Sequence, residues 1–270
     1  MKKIESFLLG KNKNQDLCED GIYEGERIIA VIDGATSKGN NLIDGKSSGC
    51  FAKDALIGCL RQNELDLSKM PAPLLYETLN DHLRACTDED TLQLEDYPRA
   101  CMAVYNEERH ELSAYGDCQF ILNGQRYGFE KKIDRLNSEY RALVLELELS
   151  DGKSIDELMQ NDTGREGIRD TLKRQMIFEN KDSEYAYPVL NGYSFNKDMV
   201  FSTEVETGSE IVLATDGYPF LETTLEQSER ELKKLLEDDP LCMRIYKSTK
   251  GLVKGNLSYD DRAYWRGIAE

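Results

Sequence analysis

"AVIDGATSKG", Ala30 to Gly39, is the most informative stretch of the sequence, because an apolar run ends on a carboxylate within it. The residues from Ile28 to Ile32 are all apolar, which predicts a β-strand that buries both faces. Asp33 follows directly. A carboxylate at the end of a buried strand is energetically costly unless the side chain contacts solvent, caps a backbone group or binds a cation. The function of the chain therefore depends on what Asp33 holds.

The composition predicts a folded, acidic protein. The chain has 270 residues, with 34 lysines and arginines against 51 aspartates and glutamates, for a formal net charge of -17. Such a surface repels nucleic-acid phosphates and anionic lipids, so neither nucleic acid nor a membrane is expected as a partner. An apolar content of 40% exceeds that of a disordered acidic chain. Because no linker-like stretch interrupts the sequence, we expect one domain over residues 1–270.

The cysteines indicate a reducing compartment. There are seven, an odd number, and no two are spaced as C-x-x-C, which argues against a disulfide framework and against a zinc ribbon. The apolar run near the start is too short for a secretory signal, and no run is long enough to span a bilayer. We therefore expect a cytoplasmic protein.

The residue patterns predict strands and helices that alternate in blocks. Strands are predicted at Ile4 to Leu9, Arg27 to Ile32, Cys101 to Tyr105, Glu111 to Tyr115, Gln119 to Leu122, Met199 to Ser202 and Glu210 to Ala214, with an alternating run at Ala263 to Gly267. Helices are predicted at Ser48 to Leu60, Pro71 to Cys86, Glu130 to Leu149, Gly164 to Glu179 and Thr224 to Leu236. Consecutive strands joined by turns favour antiparallel sheets covered by helices, an α+β layered fold, over a parallel doubly wound sheet.

Acidic residues stand at the boundaries of several predicted strands. They are Asp16, Asp33, Asp117, Asp216, Asp260 and Asp261. Asp-Gly is also a common turn dipeptide, so Asp33-Gly34 or Asp216-Gly217 alone predicts a plain turn. Two such pairs after strongly apolar strands, with no cysteine or histidine at ligand spacing, together favour a shared site.

A shared carboxylate site needs positive charge. Two carboxylates about 4 Å apart repel each other by roughly 4 kcal/mol at an effective dielectric constant near 20. Converging carboxylates would therefore protonate, spread apart or bind cations. Oxygen ligands without imidazole or thiolate favour Mg2+ or Mn2+ over Zn2+. Paired divalent ions of this kind serve phosphoryl chemistry, which is the chemistry that the pattern predicts if the carboxylates converge.

Five short motifs follow one another along the chain: "NQD" (Asn14 to Asp16), "AVIDG" (Ala30 to Gly34), "YGDCQF" (Tyr115 to Phe120), "VLATDG" (Val212 to Gly217) and "YDDRAYW" (Tyr259 to Trp265). In this order they resemble the protein phosphatase 2C (PPM) family, whose members are metal-dependent and mainly dephosphorylate phosphoserine and phosphothreonine. The resemblance spans nearly the whole chain. It implies an α-β-β-α sandwich with two central antiparallel β-sheets and a site in the cleft at one edge.

The resemblance also implies a role for each acidic motif. The implied metal ligands are Asp33, the Gly34 carbonyl, Asp216, Asp260, Asp16 and Asp117. Asp33 would bridge two Mn2+ or Mg2+ ions, and Asp16, with Gln15, would hold metal-bound waters, which makes Asp33 and Asp16 the predicted catalytic residues. Asp117 matches the ligand of a third, weaker metal.

Three positions depart from the family pattern. Ala35 stands where many eukaryotic members carry a histidine thought to act as a general acid. The basic residue that holds phosphate before "NQD" is matched by Lys11 or Lys13, and a lysine offers a point charge instead of the bidentate fork of arginine. Phe220 stands where many members place an acidic ligand of the third metal, so we expect two ions rather than three.

The leading hypothesis is a phosphatase that hydrolyses phosphoserine and phosphothreonine on a phosphoprotein by in-line attack of a metal-bridging hydroxide. Two alternatives stay open: a phosphatase-like regulatory or binding domain with weak turnover or none, and an acidic interaction domain whose Asp-Gly pairs are only turns. The charged insert at about 125–191 occupies the position of the family's variable flap, which borders the cleft and tunes substrate choice. A solvated helical pair with no specific role is the alternative for this insert.

Overall fold

The computed structural model of the chain describes residues 1–37, 39, 41–88 and 92–270, and within them ten strands form two antiparallel sheets. The strands are β1 (Lys2–Leu9), β2 (Asp20–Glu24), β3 (Ile28–Ala35), β4 (Arg99–Asn106), β5 (Glu111–Tyr115), β6 (Gln119–Leu122), β7 (Gln125–Tyr127), β8 (Phe201–Glu204), β9 (Glu210–Ala214) and β10 (Arg262–Ile268). The first sheet has the strand order β1-β10-β9-β6-β7, and the second has the order β2-β3-β4-β5-β8.

Helices cover the outer faces of both sheets. They are α1 (Ser48–Leu67), α2 (Ala72–Cys86), α3 (Lys132–Ser150), α4 (Ile155–Gln160), α5 (Thr163–Gly167), α6 (Arg169–Arg174) and α7 (Leu225–Asp238). Leu56 of α1 and Leu79 of α2 share an apolar cluster with Ile32 of β3, while Leu232 of α7 shares another with Val212 of β9. The layers are therefore α-β-β-α, which confirms the fold that the sequence predicts.

The inner faces of the two sheets form the core between them. Along β3, Ile28 and Ile32 face the helices α1 and α2, whereas Ile29 and Val31 face the first sheet. This alternation buries both faces of the strand, as its continuous apolar run predicts. The only tryptophan of the chain, Trp265 of β10, belongs to the same inner layer and is 1% exposed.

The structure differs from the predicted elements where local patterns are weak. β5, β6 and β9 have the predicted bounds. β2 and β7 are not predicted, because β2 begins with the turn-like pair Asp20-Gly21 and β7 has only three residues. β8 begins two residues later than predicted, after a 3-10 turn at Lys197–Met199. The helix predicted from Gly164 to Glu179 is divided into α5, α6 and the 3-10 turn Gln175–Phe178.

The described residues contain neither a disulfide bond nor a helix able to span a membrane. All seven cysteines are free, and Cys86 is the exposed member of this set. Along the described ranges, the helices include none with both the length and the apolar character needed to cross a bilayer.

One buried arginine fixes the segment between β7 and β8 to the rest of the chain. Arg141 of α3 has a fully buried side chain, and its guanidinium donates to the Asp162 carboxylate at 2.7 and 2.9 Å. The same guanidinium donates to the carbonyl oxygens of Leu241, Cys242 and Ser248. The insert predicted at about 125–191 is thereby attached to the loop that leads from α7 to β10.

We predict that Arg141→Met lowers the free energy of unfolding by about 3 to 5 kcal/mol, because it leaves a carboxylate and buried carbonyl groups without their donor. Urea denaturation of the purified protein measures this. Arg244→Met is the matched control, since Arg244 forms a bidentate pair with Glu146 at the surface and its side chain is 57% exposed. The control is expected to change the free energy by about 1 kcal/mol or less. Equal effects of the two substitutions would contradict the anchoring role.

Candidate metal centre

Both sheets bring aspartates to one edge of the sandwich. In the second sheet, Asp20 at the start of β2 lies opposite Asp33 near the end of β3. In the first sheet, the end of β9 lies beside the starts of β6 and β10. Asp216 follows that end of β9, while Asp117 and Asp260 precede the other two strands. These five side chains are called the acidic cluster below.

Two glycines allow the backbone to pack closely at this edge. Neither Gly34 nor Gly217 has a positive φ. A Cβ atom on Gly34 would overlap the carbonyl oxygen of Gly49 at the start of α1, and one on Gly217 would overlap the carbonyl oxygen of Asp261. The glycine of each Asp-Gly pair is therefore required by close packing beside its aspartate, which a turn alone would not require.

Burial, together with repulsion within the acidic cluster, raises the pKa of three carboxyl groups. Burial and the charge of Asp216 raise the pKa of Asp33 well above its ordinary value. Burial and the charge of Asp260 do the same to the pKa of Asp20, and they raise the pKa of Asp216 to about 7. The acidic cluster therefore holds more negative charge than its surroundings offset.

Three lysines supply positive charge to the acidic cluster. Lys131 Nζ lies 2.7 Å from Asp117 Oδ2, and Lys250 forms an ion pair with Asp260 Oδ2. Lys11 Nζ lies 3.2 Å from the other oxygen of Asp260. Burial alone would raise the pKa of Asp260, but the ammonium groups of Lys250 and Lys11 outweigh it and lower this pKa to about 2.

Asp261 and Glu19 form a hydrogen-bonded frame behind the acidic cluster. The Asp261 carboxylate accepts hydrogen bonds from the backbone N–H of Lys11 at 2.6 Å and from that of Glu19 at 3.1 Å. The Glu19 carboxylate in turn accepts from the hydroxyl groups of Ser47 and Thr36. Because its oxygens are used by backbone donors, Asp261 positions the chain on either side of the turn that contains "NQD".

The residues predicted to form the site fall into two groups. Asp33, Asp117, Asp216 and Asp260 lie in the acidic cluster, Gly34 follows Asp33 within β3, and Lys11 contacts the cluster. Asp16 and Lys13 are exposed on the turn that contains the 3-10 segment Gln15–Leu17. Phe220 is also exposed, and its ring lies edge-on to that of Tyr246 at 6.1 Å.

Sequence reasoning missed three residues of this edge, namely Asp20, Lys131 and Lys250. A signal for Asp20 exists, since Asp20-Gly21 is an Asp-Gly pair beside a strand just as Asp33-Gly34 is. No local signal marks the two lysines, because Lys131 and Lys250 lie outside the motifs that contain their partners, Asp117 and Asp260.

The donor chemistry of the acidic cluster fits a hard divalent cation. Its members are all oxygen ligands, and the buried atoms Asp20 Oδ2 and Asp117 Oδ1 accept no hydrogen bond within the described residues. A buried acceptor without a partner costs about 1 to 3 kcal/mol, so a cation nearby would be stabilising. The part of the chain that the structure describes nevertheless contains no three acidic, histidine or cysteine side chains arranged around one ion. Two of the carboxylates, those of Asp117 and Asp260, pair with Lys131 and Lys250, so an ion at either one would compete with an ammonium group.

Solved structures of bacterial phosphatases are similar to this chain. The serine/threonine phosphatase PstP/Ppp of Mycobacterium tuberculosis aligns over 98% of this chain and 97% of its own, with 15% identity and a TM-score of 0.50. A structure of the PstP catalytic domain in complex with two manganese ions aligns over 98% and 97% of the two chains, with 13% identity and a TM-score of 0.49. Stp1 from Staphylococcus aureus aligns over 100% and 96%, with 13% identity and a TM-score of 0.46.

No protein-family model matches the sequence, and neither does any curated protein. The likeness to PstP/Ppp extends over nearly the whole of both chains at low identity, so it bears on the fold alone. The chain has the fold of the bacterial serine/threonine phosphatases of the protein phosphatase 2C type, as its ordered motifs predict.

The raised pKa values predict how stability depends on pH. Asp33, Asp20 and Asp216 bind protons more tightly in the folded chain than in the unfolded chain, where an aspartate titrates near 3.8. Stability measured with a chelator is therefore expected to fall as pH rises from about 4 through about 7, the pKa of Asp216. Asp260 titrates near pH 2 and stays ionised over this range.

Asp33→Asn is expected to raise the free energy of unfolding at pH 8 by about 1 kcal/mol or more, because it removes a carboxyl group whose ionised form is disfavoured by burial and by the neighbouring aspartates. It should also make the dependence on pH shallower. Thermal unfolding at several pH values, with a chelator present, measures both effects. Asp16→Asn, at an exposed carboxylate outside the acidic cluster, is the control and should change neither. A destabilised Asp33→Asn protein at pH 8 would contradict the repulsion.

Proposed function

We propose that this chain is a metal-dependent phosphatase that hydrolyses phosphoserine and phosphothreonine on proteins. The observation that supports it is the convergence of five aspartates from both sheets at one edge, where burial and the neighbouring carboxylates raise the pKa of Asp20, Asp33 and Asp216. That edge belongs to a chain with the fold of bacterial serine/threonine phosphatases. Carboxylates gathered in this way need cations, and the oxygen donors suit Mn2+ or Mg2+.

Each residue of the acidic cluster would have a role in this reaction. Asp33, Asp216 and Asp260 would hold two divalent ions, with the Gly34 carbonyl as a further ligand. Asp20 takes the role that the motif "NQD" assigns to Asp16, because Asp20 lies opposite Asp33. Asp117 matches the ligand of a third ion in the family, but it pairs with Lys131 here, so two ions remain the expectation. When bound, the divalent ions would acidify water and offset the charge of phosphate oxygens.

The chain's own residues would bind and orient the phosphate. Lys11 reaches the acidic cluster from the turn before β2, where its ammonium group can contact a phosphate oxygen as a point charge. The histidines do not contribute a general acid from this edge, since His82 lies in α2 and His110 in the turn before β5. The leaving serine or threonine oxygen would therefore take its proton from water.

Hydrolysis of an aryl phosphate with Mn2+, and with a chelator instead, tests the function. We expect turnover with Mn2+ only. Asp33→Asn and Asp20→Asn should each lower turnover by about a hundredfold or more, because each removes a carboxylate from the proposed ion site. Asp16→Asn should lower turnover by about twofold or less if Asp20, and not Asp16, supports the ion site.

A larger loss of turnover in Asp16→Asn than in Asp20→Asn would show that Asp16 of the "NQD" motif, and not Asp20, supports the ion site. Turnover that is equal with Mn2+ and with the chelator would contradict a metal-dependent reaction. Circular dichroism of each variant, together with its thermal unfolding, separates lost function from lost fold.

A second candidate function is binding without turnover. The observation that favours it is the presence of Lys131 and Lys250 against Asp117 and Asp260, where they supply cationic charge from the chain itself. A divalent ion that binds Asp260 has to compete with the ammonium group of Lys250. If the ammonium groups of Lys131 and Lys250 exclude the divalent ions, the protein would keep its fold but would not hydrolyse phosphate esters.

Lys250→Met measures this competition directly. We expect it to tighten Mn2+ binding about tenfold, which corresponds to about 1.4 kcal/mol, because Asp260 loses its competing cation. Isothermal titration calorimetry with Mn2+ provides the readout without any turnover. Lys254→Met is the control, since Lys254 pairs with the exposed Asp156 and should leave Mn2+ affinity unchanged. Weaker Mn2+ binding by Lys250→Met would show that the lysine does not compete with the ion.

A further inference from the structure

A groove with basic walls lies between α5, α6 and the segment that follows β3. It consists of two adjoining cavities of about 390 and 420 Å3 that share Arg169 and Lys173 of α6. Arg165 lines the first cavity and Arg174 lines the second. These four side chains are called the basic groove below. Arg169 and Lys173 are four residues apart on α6, so they project from the same face of the helix.

The basic groove carries positive charge that the chain leaves uncompensated. Within the described residues, the side chains of Arg169, Lys173 and Arg174 form no ion pair and donate no hydrogen bond, although the chain has 51 acidic residues against 34 basic ones. The acidic residues that line the cavities are Asp162, Glu166 and Glu95. Asp162 is already engaged by Arg141, which leaves two exposed carboxylates near the four basic side chains.

The basic groove adjoins the acidic cluster through the backbone. Arg165 donates a hydrogen bond to the Thr249 carbonyl oxygen at 2.6 Å, and the next residue, Lys250, pairs with Asp260. On the opposite side, Ser37 lines the first cavity and stands four residues after Asp33. The first cavity is thus bordered by both segments that lead to the acidic cluster, so a peptide bound at that cluster can extend toward the basic groove.

We propose that the basic groove binds an acidic segment of the protein substrate, through carboxylates or a second phosphate near the residue that is dephosphorylated. The inference rests on the proposed function and gives it a substrate class, namely sites within acidic sequence. Arginine side chains favour this class because their guanidinium forks bind carboxylate and phosphate oxygens in pairs. Nucleic acid carries its charges more densely than an acidic peptide does, so the net charge of -17 on the chain repels nucleic acid more strongly and makes it the less favoured occupant.

Fluorescence anisotropy with labelled peptides tests the inference without turnover. One peptide carries glutamates around a central serine, a second carries glutamines there, and a third adds a phosphoserine beside the centre; all are measured in chelator. We expect the glutamate and phosphoserine peptides to bind, and Arg169→Glu with Lys173→Glu to weaken their binding about tenfold or more. Salt at about 0.5 M should remove most of the difference, because exposed charges are screened.

The matched control is Arg230→Glu with Lys234→Glu. These two exposed residues are also four apart on a helix, α7, and the pair makes the same change in charge. The control should bind the peptides as the unaltered chain does. A neutral version, Arg169→Gln with Lys173→Gln, should weaken binding by a smaller factor, and circular dichroism checks that all variants fold. Equal peptide affinity of the groove and control variants would overturn the inference.

Competition with inorganic phosphate and with an oligonucleotide identifies the ligand of the basic groove. Displacement of the glutamate peptide by about 10 mM inorganic phosphate, at equal ionic strength, would overturn a peptide site in favour of a free-anion site. Tighter binding of a single-stranded oligonucleotide through the same residues would overturn it in favour of nucleic acid. Peptide binding in a chain that hydrolyses no aryl phosphate would contradict the proposed phosphatase and leave the groove's ligand class intact.

Discussion

The structure depends on one electrostatic constraint, the repulsion between aspartates that two sheets bring to a common edge. Each uncompensated pair at close range costs several kcal/mol, so the backbone that carries the aspartates has to be held firmly elsewhere. β3 and β9 meet this requirement because their apolar residues are buried between the sheets and under helices. The cost is further offset by Lys11, Lys131 and Lys250, whose ammonium groups lie against the same aspartates.

The parts of the fold that the sequence predicts are those with continuous local patterns. β3 and β9 are apolar runs, and each ends near an aspartate that the structure places at the shared edge. β2 has no such run. Its aspartate, Asp20, was therefore not predicted as a site residue, because the pair Asp20-Gly21 equally predicts a turn. Lys250 could not be predicted because its contact with Asp260 depends on a loop whose path is set by tertiary hydrogen bonds to Arg141. The local pattern of apolar residues therefore predicts the strands, whereas the charge balance of the site depends on lysines from other segments of the chain.

Buried hydrogen bonds attach the insert to the rest of the chain. Arg141 ties it to the loop between α7 and β10, and Arg165 donates to the same loop one residue before Lys250. The insert therefore contacts the segment that neutralises the acidic cluster, and its own outer surface carries unpaired positive charge within the described residues. In a strongly acidic chain, this is the place where an anionic ligand would meet the least repulsion.

The position of Trp265 gives the folded chain an optical reporter of its own. Its indole is the only one in the chain and lies in the layer between the sheets, shielded from water, with a ring N–H that has no acceptor among the described residues. Emission from such a ring shifts when water reaches it, so the fluorescence of this single side chain follows the separation of the sheets rather than the loosening of loops or of the insert.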